Sequence, residues 1–240
     1  MTATQSATAS FSADVREEQD LLGSLAVPAE AYYGIQTLRA MNNFQLSDMP
    51  LSNYPKLIEA LAMVKQAAAS ANHQLGHLES SRYNAIEQAC QAIIAGQHHA
   101  QFVVDMIQGG AGTSTNMNAN EVIANLGLEF LGRPKGDYQH LHPNNDVNMA
   151  QSTNDAYPTA IRLGLLLDHD ILLQSLAELR DAFLAKSEEF ATVLKMGRTQ
   201  LQDAVPMTLG QEFNAFASSL SADLKLLEQQ VPVLIRALKL

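Results

Sequence analysis

The sequence predicts a mainly α-helical protein, with a mixed, loop-rich N-terminal part followed by a section of a long-helix bundle. Two observations carry this. Apolar residues recur at three- and four-residue spacing over most of the chain after Leu57, the period of one helix face. Two long stretches, opening near Pro158 and Pro206, also carry apolar stripes that two helices cannot bury by themselves.

In chain order, residues 1–16 are polar and rich in Ser, Thr and Ala, without the basic-then-apolar order of a signal peptide, and read as a disordered arm. From Leu21 to Met49, apolar stretches are broken by Gly23, Pro28 and Gly34, with Pro50 following, which suggests turns and one short hairpin. Leu57, Leu61, Val64, Ala68, Ala71 and Leu75 trace a helix face ending near Gly76. A second helix is expected from Ser81 to Ala95, stopping at Gly96, and a third from Asn116 to Leu131, closed by Gly132. Arg133 to Asn148 has loop composition and is the expected domain boundary, dividing residues 17–147 from 148–240.

Beyond it, Pro158 suits a first helical position, with Ile161, Leu165, Leu172, Leu176, Leu179 and Phe183 behind it. From Pro206, Leu209, Phe213, Phe216, Leu220, Leu224, Leu227, Val231 and Leu234 repeat almost as heptads. Pro232 is expected to kink or fray the last turns, because proline removes a helical hydrogen bond.

Composition narrows the function classes. The net charge of −10, from 15 basic and 25 acidic residues, disfavours nucleic acid and anionic membrane surfaces. No window holds the roughly eighteen apolar residues of a membrane-spanning helix. The single cysteine, Cys90, cannot form an internal disulfide, which fits a reducing cytoplasm. It falls in the apolar run of Ile86, Ala89 and Ile93 and reads as a small core residue.

Three clusters rich in neutral polar side chains stand out: Gly109 to Asn116 (GGAGTSTN), Gln151 to Asp155 (QSTND) and Gly197 to Asp203 (GRTQLQD). Each is expected to precede a helix. Ser, Thr, Asn and Asp there usually cap the helix. Three helix N-termini bearing neutral donors could also surround an anion, since each carries unpaired N–H groups and a partial positive charge. With Arg198, such a field could draw a dicarboxylate to an acidic protein. From spacing alone, capping and an anion site both stay open. His98, His99, His140 and His142 lack partners at a metal-site spacing and read as loop or surface histidines. No Gly-Lys-Ser/Thr phosphate loop or Gly-x-Ser-x-Gly turn is present.

At these clusters the chain resembles the aspartase/fumarase superfamily. The likeness is carried by GGAGTSTNMN from Gly109, QSTNDAYPT from Gln151, MGRTQLQDAVPMTLGQEF from Met196, and DLLGSLAVPAEAYYGIQTL from Asp20. The resemblance implies a fold that is mainly α, with a mixed, mostly helical N-terminal lyase domain and part of a central helical bundle, truncated relative to the family. It also implies homotetramers whose active sites draw on three subunits; the residues themselves call for no cofactor or metal. Carried over residue by residue, the substrate-binding positions would be Thr113, Ser152, Thr153, Asn154, Thr199 and Gln200. Gln200, Ala156-Tyr157 and the Gly-Ala-Gly-Thr-Ser run look more like aspartases than fumarases, which carry histidine at the position of Gln200.

The implied chemistry is reversible elimination of ammonia from L-aspartate to fumarate, through an intermediate whose β-carboxylate holds two negative charges. The family's base, a serine on a Gly-Ser-Ser loop followed by a substrate-binding lysine and asparagine, is absent from these residues. No catalytic residue is therefore expected here, and the chain alone is expected to have little lyase activity. The alternatives are a fumarase-type lyase, or an inactive helical module that associates with a full-length homologue.

Overall fold

The computed structural model describes residues 14–237. Two compact units divide between Ile161 and Arg162. The first opens with an antiparallel hairpin, β1 (Val15–Asp20) and β2 (Gly23–Pro28), turning through Leu21 and Leu22. Most of the expected arm lies outside the described residues, but Val15 and Arg16 already belong to β1. The Arg16 guanidinium holds the base of the hairpin by donating to the carbonyls of Pro28, Ala29, Ala31 and Tyr33.

Helix α1 (Ile35–Asn43) follows, within the stretch expected to hold only turns and a hairpin. Its start has no local side-chain cap. Instead the buried Glu121 carboxylate accepts from the backbone N–H groups of Gly34, Gln36 and Thr37 and from the Thr37 hydroxyl, at 2.6–3.0 Å. An anion there satisfies orphan donors and the positive end of the helix dipole together. The cap lies far along the chain, so no local pattern announces the helix.

Helix α2 (Pro55–Gln74) starts with proline at its first position, where the missing N–H costs nothing, and ends before Gly76 at φ 78°. Helix α3 (Ser80–Ile94) packs against it, with Ala85, Ile86, Ala89, Cys90 and Ile93 buried on one face. Burial holds the Cys90 thiol protonated, well above its ordinary value. Both helices lie within a turn of where periodicity places them.

Helix α4 (Thr113–Phe130) is the core of this unit, and every residue from Asn118 to Leu128 is buried. Its polar members anchor the surrounding loops. Asn118 accepts from Val103 N–H and donates to the Gln101 carbonyl, while Asn125 accepts from Gly136 N–H and donates to the Tyr32 carbonyl. The 133–148 segment belongs to this unit. Leu141, Pro143, Asp146 and Val147 are buried in it, and Asp146 binds Arg82 of α3. The compact division therefore falls later than the loop composition suggests.

Helix α5 (Thr153–Glu189) begins in the first unit and continues into the second. Pro158 lies inside it and not at its first position. Ser152 supplies the start, accepting from Asn154 N–H through its hydroxyl and from Asp155 and Ala156 N–H through its carbonyl. Proline in the second turn forfeits one backbone bond.

The second unit adds a hairpin, β3 (Leu194–Thr199) and β4 (Gln202–Thr208), and helix α6 (Leu209–Ala237). The hairpin occupies the stretch read as the approach to a helix, and Pro206 lies in β4. Its tip, Gln200-Leu201, has φ of 47° and 64°, the left-handed pair of a tight two-residue turn. Within this unit Phe183 of α5, and Phe190 just past its end, meet Phe213 and Phe216 of α6 at ring separations of 5.6–5.9 Å. Gly210 permits the close crossing, because a Cβ there would overlap the Ser187 carbonyl. Helical backbone runs through position 232 to Ala237.

Candidate active site

The first polar cluster is a tight loop running into α4. Gly110, Ala111 and Gly112 all have positive φ, a conformation glycine adopts freely and alanine only at a cost. A Cβ on Gly112 would overlap the Tyr157 ring of α5, so the starts of α4 and α5 are in contact. Gln108 ties the loop to the helix, accepting from Thr115 N–H at 3.0 Å and donating to the Thr115 hydroxyl at 2.9 Å. Thr113 is exposed at the first helical position, its hydroxyl donating to the Gly110 carbonyl at 2.6 Å.

The second cluster is the start of α5. Ser152 and Asn154 are exposed and Thr153 is half-buried. The two clusters are bonded directly, with the Asn116 side-chain amide donating to Thr153 Oγ1 at 3.2 Å. Beside them lies an open cleft of about 450 Å³, lined by Gln108, Ala111, Gly112, Asn154, Tyr157 and Pro158 among others. Two helix N-termini and a set of neutral hydroxyls and amides thus meet at one place, and burial raises the pKa of the neighbouring Tyr157 phenol. Preorganised neutral donors of this kind suit a ligand carboxylate.

The third cluster differs from its expected setting. Thr199 closes β3 and Gln200 sits at the hairpin tip, both exposed, and all of β4 separates them from α6. They stand in the second unit and not at a helix start. Arg198 is paired with Asp203 across the hairpin at 3.1 Å, both side chains largely exposed.

Behind the first two clusters lies a group that the sequence reading passed over. Lys65 of α2 is fully buried, and its ammonium donates to Asn148 Oδ1 at 2.7 Å and Gln151 Oε1 at 2.9 Å. Among the described residues no carboxylate pairs with it, and burial pushes its pKa down to about 7. A signal was present: Ile58, Leu61, Lys65, Ala69 and Asn72 are spaced on one buried face, with a single lysine among apolar residues. Elsewhere, His142 accepts from Asn144 and Asn145 N–H, and the ring of His99 meets the Ile93 carbonyl at 2.8 Å. Among the described residues no group of three or more His, Cys, Asp or Glu is placed to share a metal ion, and no helix is long and apolar enough to cross a membrane.

A family model described as a lyase matches residues 23–239. The chain is 70% identical to an aspartate ammonia-lyase of Pseudomonas aeruginosa over 95% of its own length and 48% of the relative's. It is 50% identical to the aspartate ammonia-lyase of Escherichia coli over 94% of this chain and 47% of that protein. Among solved structures, a fumarate lyase:delta crystallin from Brucella melitensis superposes with a TM-score of 0.87 at 60% identity, covering 93% of this chain and 52% of that one. A class II fumarase from Schistosoma mansoni gives 0.80 at 37% identity, covering 92% and 46%. The chain spans about half the length of the relatives it matches. The helical fold, the signature clusters and these identities place the chain in the aspartase/fumarase superfamily of lyases, where it corresponds to the N-terminal half.

Proposed function

We propose that this chain supplies the substrate-binding part of an aspartate ammonia-lyase site, which eliminates ammonia from L-aspartate to give fumarate. The observation that carries the reading is the meeting of the α4 and α5 starts, where Asn116 bonds Thr153 and where Gln108, Gly112 and Asn154 line one cleft. When a base removes a β-proton, negative charge builds on the neighbouring carboxylate. Hydroxyl and amide donors aimed there stabilise that charge more than they stabilise the substrate. One well-placed donor of this type is worth about 2.7–4 kcal/mol of barrier. Thr199 and Gln200 are proposed to complete the donor set in an assembled homotetramer of cytoplasmic location. The base is proposed to come from a part of the enzyme other than these residues. In domain terms, residues 17–147 are proposed as the lyase N-terminal domain and 148–240 as part of the central bundle, a family boundary that falls ahead of the compact division after Ile161.

Identity of 70% to a relative named aspartate ammonia-lyase, against 37% to the class II fumarase, supports aspartate over malate as substrate. Co-expressing this chain with the complementary half of the Pseudomonas aeruginosa relative tests the reading, with fumarate release followed by ultraviolet absorbance. Fumarate should form from L-aspartate and not from L-malate, and Thr153→Val should suppress it. Malate turnover without aspartate turnover would transfer the assignment to a fumarase. Turnover of neither substrate by a soluble, assembled complex would favour an inactive helical module.

A further inference from the structure

The buried Lys65 ammonium has a consequence for the direction of every hydrogen bond between it and the site. A protonated Lys65 can only donate, and in either protonation state the amide nitrogens of Asn148 and Gln151 are already engaged by backbone carbonyls. The atoms facing it on Asn148 and Gln151 must therefore be oxygens, and these lie at 2.7 and 2.9 Å. With their oxygens committed, the amide nitrogens turn away. Asn148 Nδ2 donates to the Gln151 carbonyl and Gln151 Nε2 to the Val147 carbonyl. Asn148 Oδ1 also faces Asn116, which must then present its NH₂ group and does so at 3.1 Å. The second proton of that group goes to Thr153 Oγ1 at 3.2 Å. Thr153 Oγ1 is thereby an acceptor on its inner side, and among the described residues it makes no donated bond. Its own proton is left without an acceptor among the described residues.

A cost is visible along this chain. Asn116 Oδ1 is buried with no hydrogen-bond partner among the described residues, a situation that protein interiors ordinarily avoid. Turning the amide over would set Oδ1 against Asn148 Oδ1, oxygen against oxygen. The orphaned atom is what the fixed polarity requires.

We propose that Lys65 is a positioning residue, acting through Asn148 and Asn116 to hold the Thr153 hydroxyl as a donor toward a substrate carboxylate. This rests on the lyase reading above. The relay itself is a property of residues within the first unit and can be measured without turnover. Lys65→Gln is the informative change, because glutamine is of similar length but can accept as well as donate, so the chain is free to reverse. Lys65→Arg, which only donates, preserves the direction.

Side-chain proton–nitrogen NMR of the 240-residue chain reads the relay. Wild type and Lys65→Arg should show slowly exchanging Asn116 amide protons, and Lys65→Gln should lose that protection. Unchanged Asn116 and Asn148 amide signals in Lys65→Gln would overturn the relay, and melting curves show that each variant is folded. In the co-expressed lyase, Lys65→Gln and Thr153→Val should each lower kcat/KM roughly tenfold. The double variant should be no worse than Thr153→Val alone, since both remove one donor. Additive losses would overturn the proposal. If wild-type enzyme makes no fumarate, the lyase reading fails while the spectra still decide the relay.

Discussion

The two compact units treat polarity in opposite ways. In the first, α4 is wrapped on all sides, and its buried Asn118, Asn125 and Glu121 side chains serve as attachment points for loops and for the start of another helix. In the second, the described contacts are an aromatic cluster and a β-hairpin, and large apolar residues remain in solvent. Leu165, Ile171, Leu172, Leu179 and Phe216 are each at least 45% exposed. A single chain can complete a core built around one central helix. It cannot cover two long amphipathic helices on all sides, and apolar stripes of this kind mark surfaces for association. The core of the first unit is thus completed within the described residues, whereas the second leaves apolar stripes exposed that the proposed tetramer would cover.

The comparison can be tested most severely at Glu121. Glu121→Ala strips four donors around the α1 start of their acceptor and is expected to cost about 3 kcal/mol or more. Denaturant unfolding checks it, and a loss below about 1 kcal/mol would mean that α1 does not depend on this long-range cap. Next in size is Gly112→Ala, which combines a positive φ with overlap against Tyr157. A loss of roughly 2 kcal/mol is expected, together with weakened substrate binding.

Lys65 gives a smaller effect of opposite sign. Burial lowers its pKa from 10.5 to about 7. Between those values the unfolded chain holds a proton that the folded chain does not. Stability contributed at this position should therefore rise as pH climbs from about 7 toward 10.5. Lys65→Met removes a buried charge that has no carboxylate partner but frees the Gln151 Oε1 acceptor, so its stability should stay within about 1 kcal/mol of wild type at neutral pH and should lose that pH dependence. Urea midpoints of both proteins across this interval check the sign. A large loss of stability in Lys65→Met would mean that the lysine is structural and not functional. The smallest change in folding stability is expected from Leu172→Glu on the exposed face of α5, within about 0.5 kcal/mol. Its effect should appear instead in sedimentation, as reduced self-association.

Much of the architecture was legible from residue order. The α2 and α3 helices follow periods of three and four residues between proline, serine and glycine signals, and their bounds hold to within a turn. Polar clusters one and two were legible as helix starts because the bonds that set each start join residues within seven positions of one another. The third was misread, since Thr199 to Gln202 is a two-residue hairpin turn without the glycine that usually marks one. Hairpin pairing wins there because β3 and β4 satisfy each other's backbone groups, which local propensity does not reveal.

By itself the sequence determined what depends on neighbours a few residues away: helix periods, turn glycines, the neutral donors at two helix starts and the family motifs. Tertiary structure alone decided what depends on distant atoms. Glu121 caps a helix more than eighty positions earlier in the chain, and Lys65 meets Asn148 and Gln151 across a similar separation. A hydrogen bond needs only that donor and acceptor be brought together, and the folded chain brings them together without regard to sequence separation. A buried charge or carboxylate is therefore read as a cap or a lever only once the residues around it are known.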